Sequence, residues 1–151
     1  MASMHAGLKQ RVDATVGAAD LRVSKTGKES LSQDVLERVR AWPEVRVAVA
    51  RAQGPIILKN PANSNECATV GSGVDPTLDA QVRAVEIVEG RRASALGEIA
   101  LDTAGMKELG AKVGDALSVS RWGDAITLKI VGVVRQPGIG MGVVTRLILT
   151  N

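Results

Sequence analysis

Residues 96–119, LGEIALDTAGMKELGAKVGDALSV, carry the densest structural signals of the chain. Glu98–Leu101 and Leu117–Ser120 are predicted strands, because short apolar runs there are bounded by turn residues. Between them we expect a short helix that is capped by Thr103 and ends at Gly110, since glycine adopts the left-handed conformation of a helix C-terminus without steric cost. This strand–helix–strand unit indicates a mixed α and β domain. It contains no arrangement of side chains typical of a catalytic centre.

Two glycine turns frame this unit. In Gly114–Asp115, glycine permits a positive φ and the aspartate can accept backbone N–H bonds, which predicts a tight turn. Glu89-Gly90-Arg91 is predicted to be a second turn for the same reason. Both are interpreted as determinants of the fold and not as sites.

The rest of the chain alternates between strand and helix signals. Apolar residues at helical intervals predict a helix over 31–41, with Ser30 and Gln33 at the spacing of a capping box and Pro43 ending the helix. Gly54-Pro55 is expected to break a strand, and 77–86 is predicted as either a short helix or a loop. The further predicted strands are 19–24, 45–52, 56–58, 67–70, 126–134 and 143–149, with loops at 59–66 and 71–76.

These elements predict an α+β domain with mixed β-sheets and two or three short helices. Residues 1–7 (MASMHAG) are interpreted as a tag or cloning remnant, and 8–151 as one domain. The hydrophobic fraction of 45% supports a buried core, and the charged fraction of 23% is ordinary for a soluble protein. Trp42 and Trp122 are the only aromatic residues, so the core must be built from aliphatic side chains.

The charge pattern argues against a nucleic-acid binder. The formal net charge is +3, but the basic residues are scattered along the sequence, and Arg91–Arg92 is the only dense pair. Binding to phosphates needs several basic groups on one surface. The chain also contains no apolar run of 18 residues, the minimum expected of a spanning helix.

Cysteine and histidine chemistry is nearly excluded. Cys67 is the only cysteine, and the only histidine, His5, lies in the expected remnant. A disulfide within the chain, a zinc site of paired cysteines and a serine or cysteine nucleophile activated by histidine are therefore not expected. The glycines of Gly138–Gly142 precede β-branched residues, whereas a phosphate-binding loop precedes a helix.

Carboxylate pairs offer the last catalytic possibility. Glu86 with Glu89 and Asp115 with Asp124 could in principle act as acid and base, but acids in turns more often cap backbone groups or face solvent. We therefore predict no catalytic, cofactor-binding or metal-binding residues and no cofactor.

The order of several short motifs resembles a known family. ADLRV is followed by LERVRAWPEVRVAVA and GVDP, then by VEGR, LGEIALD, LGAKVGDALSV and ITLKIVGVV. In this order they resemble the extracytoplasmic (periplasmic) core domain of MacB/FtsX-type ABC transporter permeases. The resemblance covers Ala19 to Val134. Its weight comes from the ordered set, because VGD before a strand also occurs in other β-barrels.

The resemblance implies a non-catalytic domain of a membrane protein, outside the cytoplasmic membrane, that relays ATP-driven conformational change and contacts substrate or partner proteins during export. The implied partners are the ATP-binding subunit, acting through the rest of the permease, a second permease copy and an extracytoplasmic protein, with no nucleic acid. The residues of the family-signature turns are Glu89, Gly90, Arg91, Gly97, Glu98, Gly110, Gly114 and Asp115.

Family members continue through further strands back to the membrane, so the resemblance also implies that this chain is shortened at its C-terminus. A different class of function remains open: a free-standing soluble β-barrel module that binds nucleic acid or protein. It accounts for the VGD unit and the basic pI, but not for VEGR or the opening ADLRV–helix segment.

Overall fold

The computed structural model describes residues 21–24, 31–121, 124–135 and 144–145. Within these residues the chain forms three short helices and seven strands, and the predicted α+β fold class is confirmed. The helices are α1 (Gln33–Arg40), α2 (Pro76–Val82) and α3 (Thr103–Leu109). The strands are β1 (Arg51–Lys59), β2 (Glu66–Val74), β3 (Glu86–Gly90), β4 (Glu98–Asp102), β5 (Ala116–Arg121), β6 (Asp124–Arg135) and β7 (Val144–Thr145).

All seven described strands belong to one mixed sheet in the order β3-β6-β5-β1-β2-β7, with β4 also paired to β6. Strand β6 pairs with three other strands. Its first half pairs with β5, and its second half pairs antiparallel with β3 and parallel with β4. Strands β1 and β2 form a long antiparallel hairpin, and the end of β1 joins β5. The β4–α3–β5 unit predicted from 96–119 therefore lies beside the central strand.

The core is aliphatic, as the lack of aromatic residues requires. Burial of such side chains is the main stabilising term, at about 25 cal/mol per Å² of apolar surface. Helix α3 contributes through its inward-facing Met106 and Leu109. The largest fully buried side chains are Leu58, Ile99, Leu101, Leu109, Leu117, Val119 and Ile130.

The ends of α3 are held by polar groups on both sides. The Asp102 carboxylate accepts the Gly105 N–H at 2.8 Å, so Asp102 caps the helix and Thr103, the predicted cap, is its first residue. Gly110 ends the helix with φ 57°, as predicted. The Leu109 carbonyl accepts hydrogen bonds from the side-chain amides of Asn60 at 3.0 Å and Asn63 at 2.9 Å. The 59–66 loop thereby closes the C-terminus of α3.

The predicted bounds of the strands around the first hairpin were wrong. Residues 45–50 form no strand, and β1 runs through Gly54 and Pro55, which were expected to break it. Strand β1 pairs with β5 only at 57–59. Pro55 therefore lies where one side of β1 lacks a described partner strand, and a residue without an N–H is tolerated there. Residues 71–74, predicted to leave the strand, belong to β2.

The other local predictions have mixed outcomes. The 31–41 helix is confirmed as α1, although its N-cap is Ser32, which makes no side-chain capping bond; Ser30 lies outside the described residues. Residues 21–24 are not in a strand. The predicted strand 143–149 is described only at 144–145, and Gly138–Gly142 and residues 1–7 lie outside the described residues. None of the described helices is long and apolar enough to cross a membrane.

Candidate functional site: the β3–β4 connection and its cleft

The connection between β3 and β4 is held together by an ion pair. Both guanidinium nitrogens of Arg91 contact the Glu98 carboxylate, Nη1 at 2.8 Å and Nη2 at 2.5 Å. The backbone N–H groups of Ser94 and Ala95 donate to the same carboxylate at 3.0 and 3.1 Å. The Arg91 hydrogen bonds, followed by that of the Ser94 N–H, lower the pKa of Glu98 to about 2. Glu98 is therefore ionised at neutral pH, and its carboxylate joins Arg91 at the start of the loop to the backbone of Ser94 and Ala95 further along it.

The start of this connection can only be glycine. Gly90 has φ 68°, and a Cβ there would lie 2.3 Å from the Val131 carbonyl oxygen of β6. The next residue, Arg91, donates its N–H to that same carbonyl at 2.9 Å. On the facing strand, a Cβ on Gly132 would lie 2.0 Å from the Arg91 carbonyl oxygen. Two glycines thus let the loop pass directly against β6.

A charged cleft lies on the other side of this connection, between the β3–β4 loop and α2. Its polar lining consists of three arginines, one aspartate and one serine, and its apolar lining comes from β2, α2, β4, β6 and the segments on either side of β3. The lining residues are Arg51, Ser72, Val74, Pro76, Asp79, Arg83, Val85, Arg92, Ala93, Ala100 and Val134.

The charged groups of the cleft include one ion pair. Arg51 Nη2 lies 2.8 Å from Asp79 Oδ1, and both side chains are largely shielded from solvent. Arg92 donates from Nη2 to the Arg83 carbonyl at 3.1 Å. Burial lowers the pKa of Arg83, the Arg51 charge lowers it further, and Asp79 partly opposes both effects. A guanidinium stays protonated in proteins, so all three arginines of the lining are charged.

Five of the eight predicted signature residues come together at this connection: Glu89, Gly90, Arg91, Gly97 and Glu98. Glu89 is exposed on β3, and the Gly97 carbonyl accepts the Lys129 N–H at 2.7 Å. The others lie after α3. The family-signature role of all eight residues stays a prediction.

Of the remaining three residues, Gly114 and Asp115 lie in the α3–β5 turn, whose hydrogen bonds anchor it to β6. The Gly114 N–H donates to the Ile130 carbonyl at 2.8 Å, and the Asp115 carboxylate accepts the Lys112 N–H at 2.8 Å. Gly110, at the end of α3, precedes this turn. None of the three lines the cleft.

The sequence interpretation missed Arg51, Asp79 and Arg83 as members of a site. One signal was present: Asp79 and Arg83 are four residues apart, the spacing that would place two side chains on one face of a helix, although α2 ends at Val82 and Arg83 is extended. Asp75 also precedes Pro76 as a helix cap, and its carboxylate accepts the Thr77 N–H at 2.9 Å. The partner Arg51 is distant in sequence, and no local pattern identifies it.

Cys67 and Glu86, two side chains outside the cleft that could take part in chemistry, each have a partner in the structure. Cys67 lies in the core and donates its thiol to Glu108 at 3.4 Å; burial, and then Glu108, raise its pKa to about 11. The thiol is therefore protonated near neutral pH and is a poor nucleophile. Glu86, considered for an acid–base pair, lies 3.0 Å from Arg135. Among the described residues, no group of three His, Cys, Asp or Glu side chains could hold a metal ion.

The chain matches no protein-family model and no curated protein sequence. Solved structures do resemble it. One is the extracellular domain of the ABC-type transporter YknZ from Gram-positive bacteria, with 10% identity, a TM-score of 0.63 and coverage of 76% of this chain and 61% of that chain. Another is the periplasmic region of MacB from Actinobacillus actinomycetemcomitans, with 12% identity, a TM-score of 0.58 and coverage of 78% and 55%.

A third is a domain of a Porphyromonas gingivalis protein assigned as a permease, with 18% identity, a TM-score of 0.50 and coverage of 74% and 55%. The chain thus spans less than two thirds of each of these domains. At such identities the likeness concerns the fold, and it agrees with the resemblance found in the ordered motifs. This chain has the fold of the extracytoplasmic domains of MacB-type ABC transporter permeases.

Proposed function

We propose that this chain is an extracytoplasmic domain of an ABC transporter permease of the MacB/FtsX type. The observation that carries the proposal is the shared fold with the extracellular domain of YknZ and the periplasmic region of MacB. The ordered sequence motifs give independent support, because they depend on the amino-acid sequence alone. In this proposal the domain performs no chemistry, and ATP is hydrolysed by a separate nucleotide-binding subunit.

The proposed work of the domain is to relay the movement of the transporter to the substrate or to a partner protein. A relay must move as one body, and the sheet is suited to this because β6 is hydrogen-bonded to three other strands. The Arg91–Glu98 pair and the close glycine contacts fasten the β3–β4 connection to the same strand. Partners in this proposal are the ATP-binding subunit, a second permease copy and an extracytoplasmic protein.

Labelling of an introduced cysteine in intact cells tests the location. Lys107 is exposed on α3, so Lys107→Cys in the complete gene product offers a thiol to a membrane-impermeant maleimide. The matched control is the same protein without this substitution, with any cysteine outside the 151 residues replaced by serine in both proteins, because Cys67 is buried with a raised pKa. We expect Lys107→Cys to be labelled in unbroken cells and the control to stay unlabelled. Labelling that requires cell lysis would place the domain in the cytoplasm and overturn the proposal.

Affinity purification of the complete product then tests the transporter context. Recovery of an ATP-hydrolysing subunit in stoichiometric amount supports it. The nucleic-acid alternative is tested by fluorescence anisotropy with labelled duplex and single-stranded DNA. Micromolar binding that falls steeply with added salt would favour that alternative, because counterion release makes such binding salt-dependent.

A further inference from the structure

We propose that a groove between α2 and residues 45–48 binds an extended, acidic segment of another protein. The groove shares no lining residue with the cleft described above. Its biological occupant, the extracytoplasmic partner protein, rests on the proposed function. The binding itself is tested on the isolated chain, so its failure and a failure of the labelling experiment in cells are separate results.

The groove is large enough for side chains of a bound segment. Its volume is about 300 Å³, and it is open to solvent. One water needs about 10–15 Å³, so the space far exceeds that of a single small ion. One wall is formed by residues 45–48, which lead towards β1, and another by Leu78 and Gln81 of α2. Arg40, the last residue of α1, also lines it.

The wall that leads towards β1 has unused backbone donors. Val45 donates its N–H to the Trp42 carbonyl at 3.0 Å, but the N–H groups of residues 46–48 have no backbone acceptor among the described residues. These residues precede β1 and belong to no strand themselves. Unpaired backbone groups next to a strand are a template for the addition of another strand. A peptide offers the matching row of backbone groups, whereas a free acid or a nucleic acid does not.

The charge of the groove favours an acidic segment. Arg46 is exposed and makes no hydrogen bond or ion pair with any described residue. Arg40 directs Nε and Nη2 at the Ala48 carbonyl, at 3.3 and 3.2 Å, which leaves its Nη1 for a ligand. None of the described residues that line the groove is acidic, and Glu44 lies outside the lining. Hydrogen bonds between a guanidinium and a carboxylate are short and about twice as strong as neutral ones.

The order of side chains along the wall sets the pattern of the ligand. Val45, Arg46 and Val47 alternate apolar, basic and apolar, and both valines are half-buried, as is Leu78 on α2. Successive side chains of a strand point to opposite faces, and neighbours on paired strands share a face. A segment that alternates aliphatic and acidic residues therefore places its acids beside Arg46 and its aliphatic side chains beside the valines.

NMR titration of the isotope-labelled 151-residue chain with short peptides tests the proposal. The probe is acetyl-Val-Glu-Val-Glu-Val-amide, and the comparators contain glutamine or lysine in place of glutamate. We expect saturable shifts of the amide signals of residues 45–48 and Leu78 with the glutamate peptide, about tenfold weaker binding of the glutamine peptide and none of the lysine peptide. The proposal fails if either comparator binds as tightly as the glutamate peptide, or if the glutamate peptide gives no saturable shift at these residues.

N-methylation of the peptide distinguishes strand pairing from charge attraction alone. Only alternate N–H groups of a strand face its neighbour, so one peptide is methylated on its valine nitrogens and another on its glutamate nitrogens. Both keep the charge of the probe. At least one of them should bind about tenfold more weakly than the probe. If both bind as tightly as the probe, the peptide backbone takes no part and the proposed pairing is wrong.

Charge reversal at Arg46 gives the site a further signature. Arg46→Glu is expected to abolish binding of the glutamate peptide and to permit binding of the lysine peptide. Arg38→Glu makes the same change at an exposed position of α1 outside the lining and should alter neither affinity. Equal loss of binding in both variants would show attraction to the whole domain and refute the site. If Arg46→Glu does not fold, the methylated peptides decide, because they require no change in the protein.

Discussion

Asn60 and Asn63 should stabilise the protein jointly through a single backbone atom. Asn60 is 2% exposed, and its side chain makes two hydrogen bonds of 3.0 Å. Its Nδ2 donates to the Leu109 carbonyl, and its Oδ1 accepts the Ala62 N–H. Asn63 donates to the same Leu109 carbonyl at 2.9 Å. The last carbonyls of a helix have no partner within the helix, so these amides replace the missing one.

The expected costs follow from that geometry. A net buried hydrogen bond contributes about 1 kcal/mol, so Asn60→Ala should lower the free energy of unfolding by about 1.5 kcal/mol once its lost packing is included. Asn63→Ala should cost about 1 kcal/mol. Each single variant still leaves the Leu109 carbonyl one donor. The double variant leaves it none, and an unpaired buried carbonyl costs about 1–3 kcal/mol.

Urea unfolding followed by far-UV circular dichroism measures the free energy of unfolding of the parent, the two single variants and the double variant, with equal m-values required for comparison. The double variant should be destabilised by at least about 1 kcal/mol more than the two single effects together, because the two amides share one acceptor. Asn65→Ala is the control: it lies in the same loop, is exposed, and should change the free energy of unfolding little. Strictly additive effects would refute the shared capping role.

Three further outcomes are expected. Gly110→Ala should cost about 1 kcal/mol in urea unfolding, because φ is 57° there, whereas a stability equal to the parent would contradict that backbone conformation. The pKa of Glu98 is lowered to about 2 from its ordinary 4.5, so the stability that its charge contributes is complete above pH 4.5 and is lost as the pH falls through 2. The difference in urea midpoint between Glu98→Gln and the parent should therefore be large at pH 7 and should disappear near pH 2. Because Cys67 is buried and its pKa is raised to about 11, its thiol should react with Ellman's reagent at pH 8 only as fast as the protein unfolds. Rapid reaction of the folded protein would show that the thiol is accessible.

The part of the fold that was predictable depends on local chemistry. Gly110 ends α3 in the left-handed conformation because no other residue adopts it as cheaply, and that is visible in the sequence alone. The strands β4, β5 and β6 were found for the same reason, since their apolar runs are bounded by turn residues. The strand signal in 45–50 was misleading because alternation shows only that one face could be buried, and neighbouring strands decide whether it is.

The sequence alone identified only part of the candidate site. Gly90 and Arg91 stand out in the sequence as a predicted turn, although Glu89 and Gly90 belong to β3 and only Arg91 lies in the loop after it. The partner of Arg91 could not be derived, since Glu98 is seven residues away across a loop whose path is set by the contact with β6. Arg51 and Asp79 meet only because β1, β2 and α2 fold around the cleft.

By itself, the sequence determined the class of the domain, the helices α1 and α3 and the glycine turn after α3, because these follow from backbone preferences and from periodic burial within a few residues. It also contained, in the order of its motifs, the resemblance to transporter domains that the fold matches. Only the tertiary structure decided the pairing of β6 with three strands, the capping of α3 by a distant loop, and the charged cleft. These depend on contacts between residues far apart in sequence, whose energies are set by distance and burial in the folded chain.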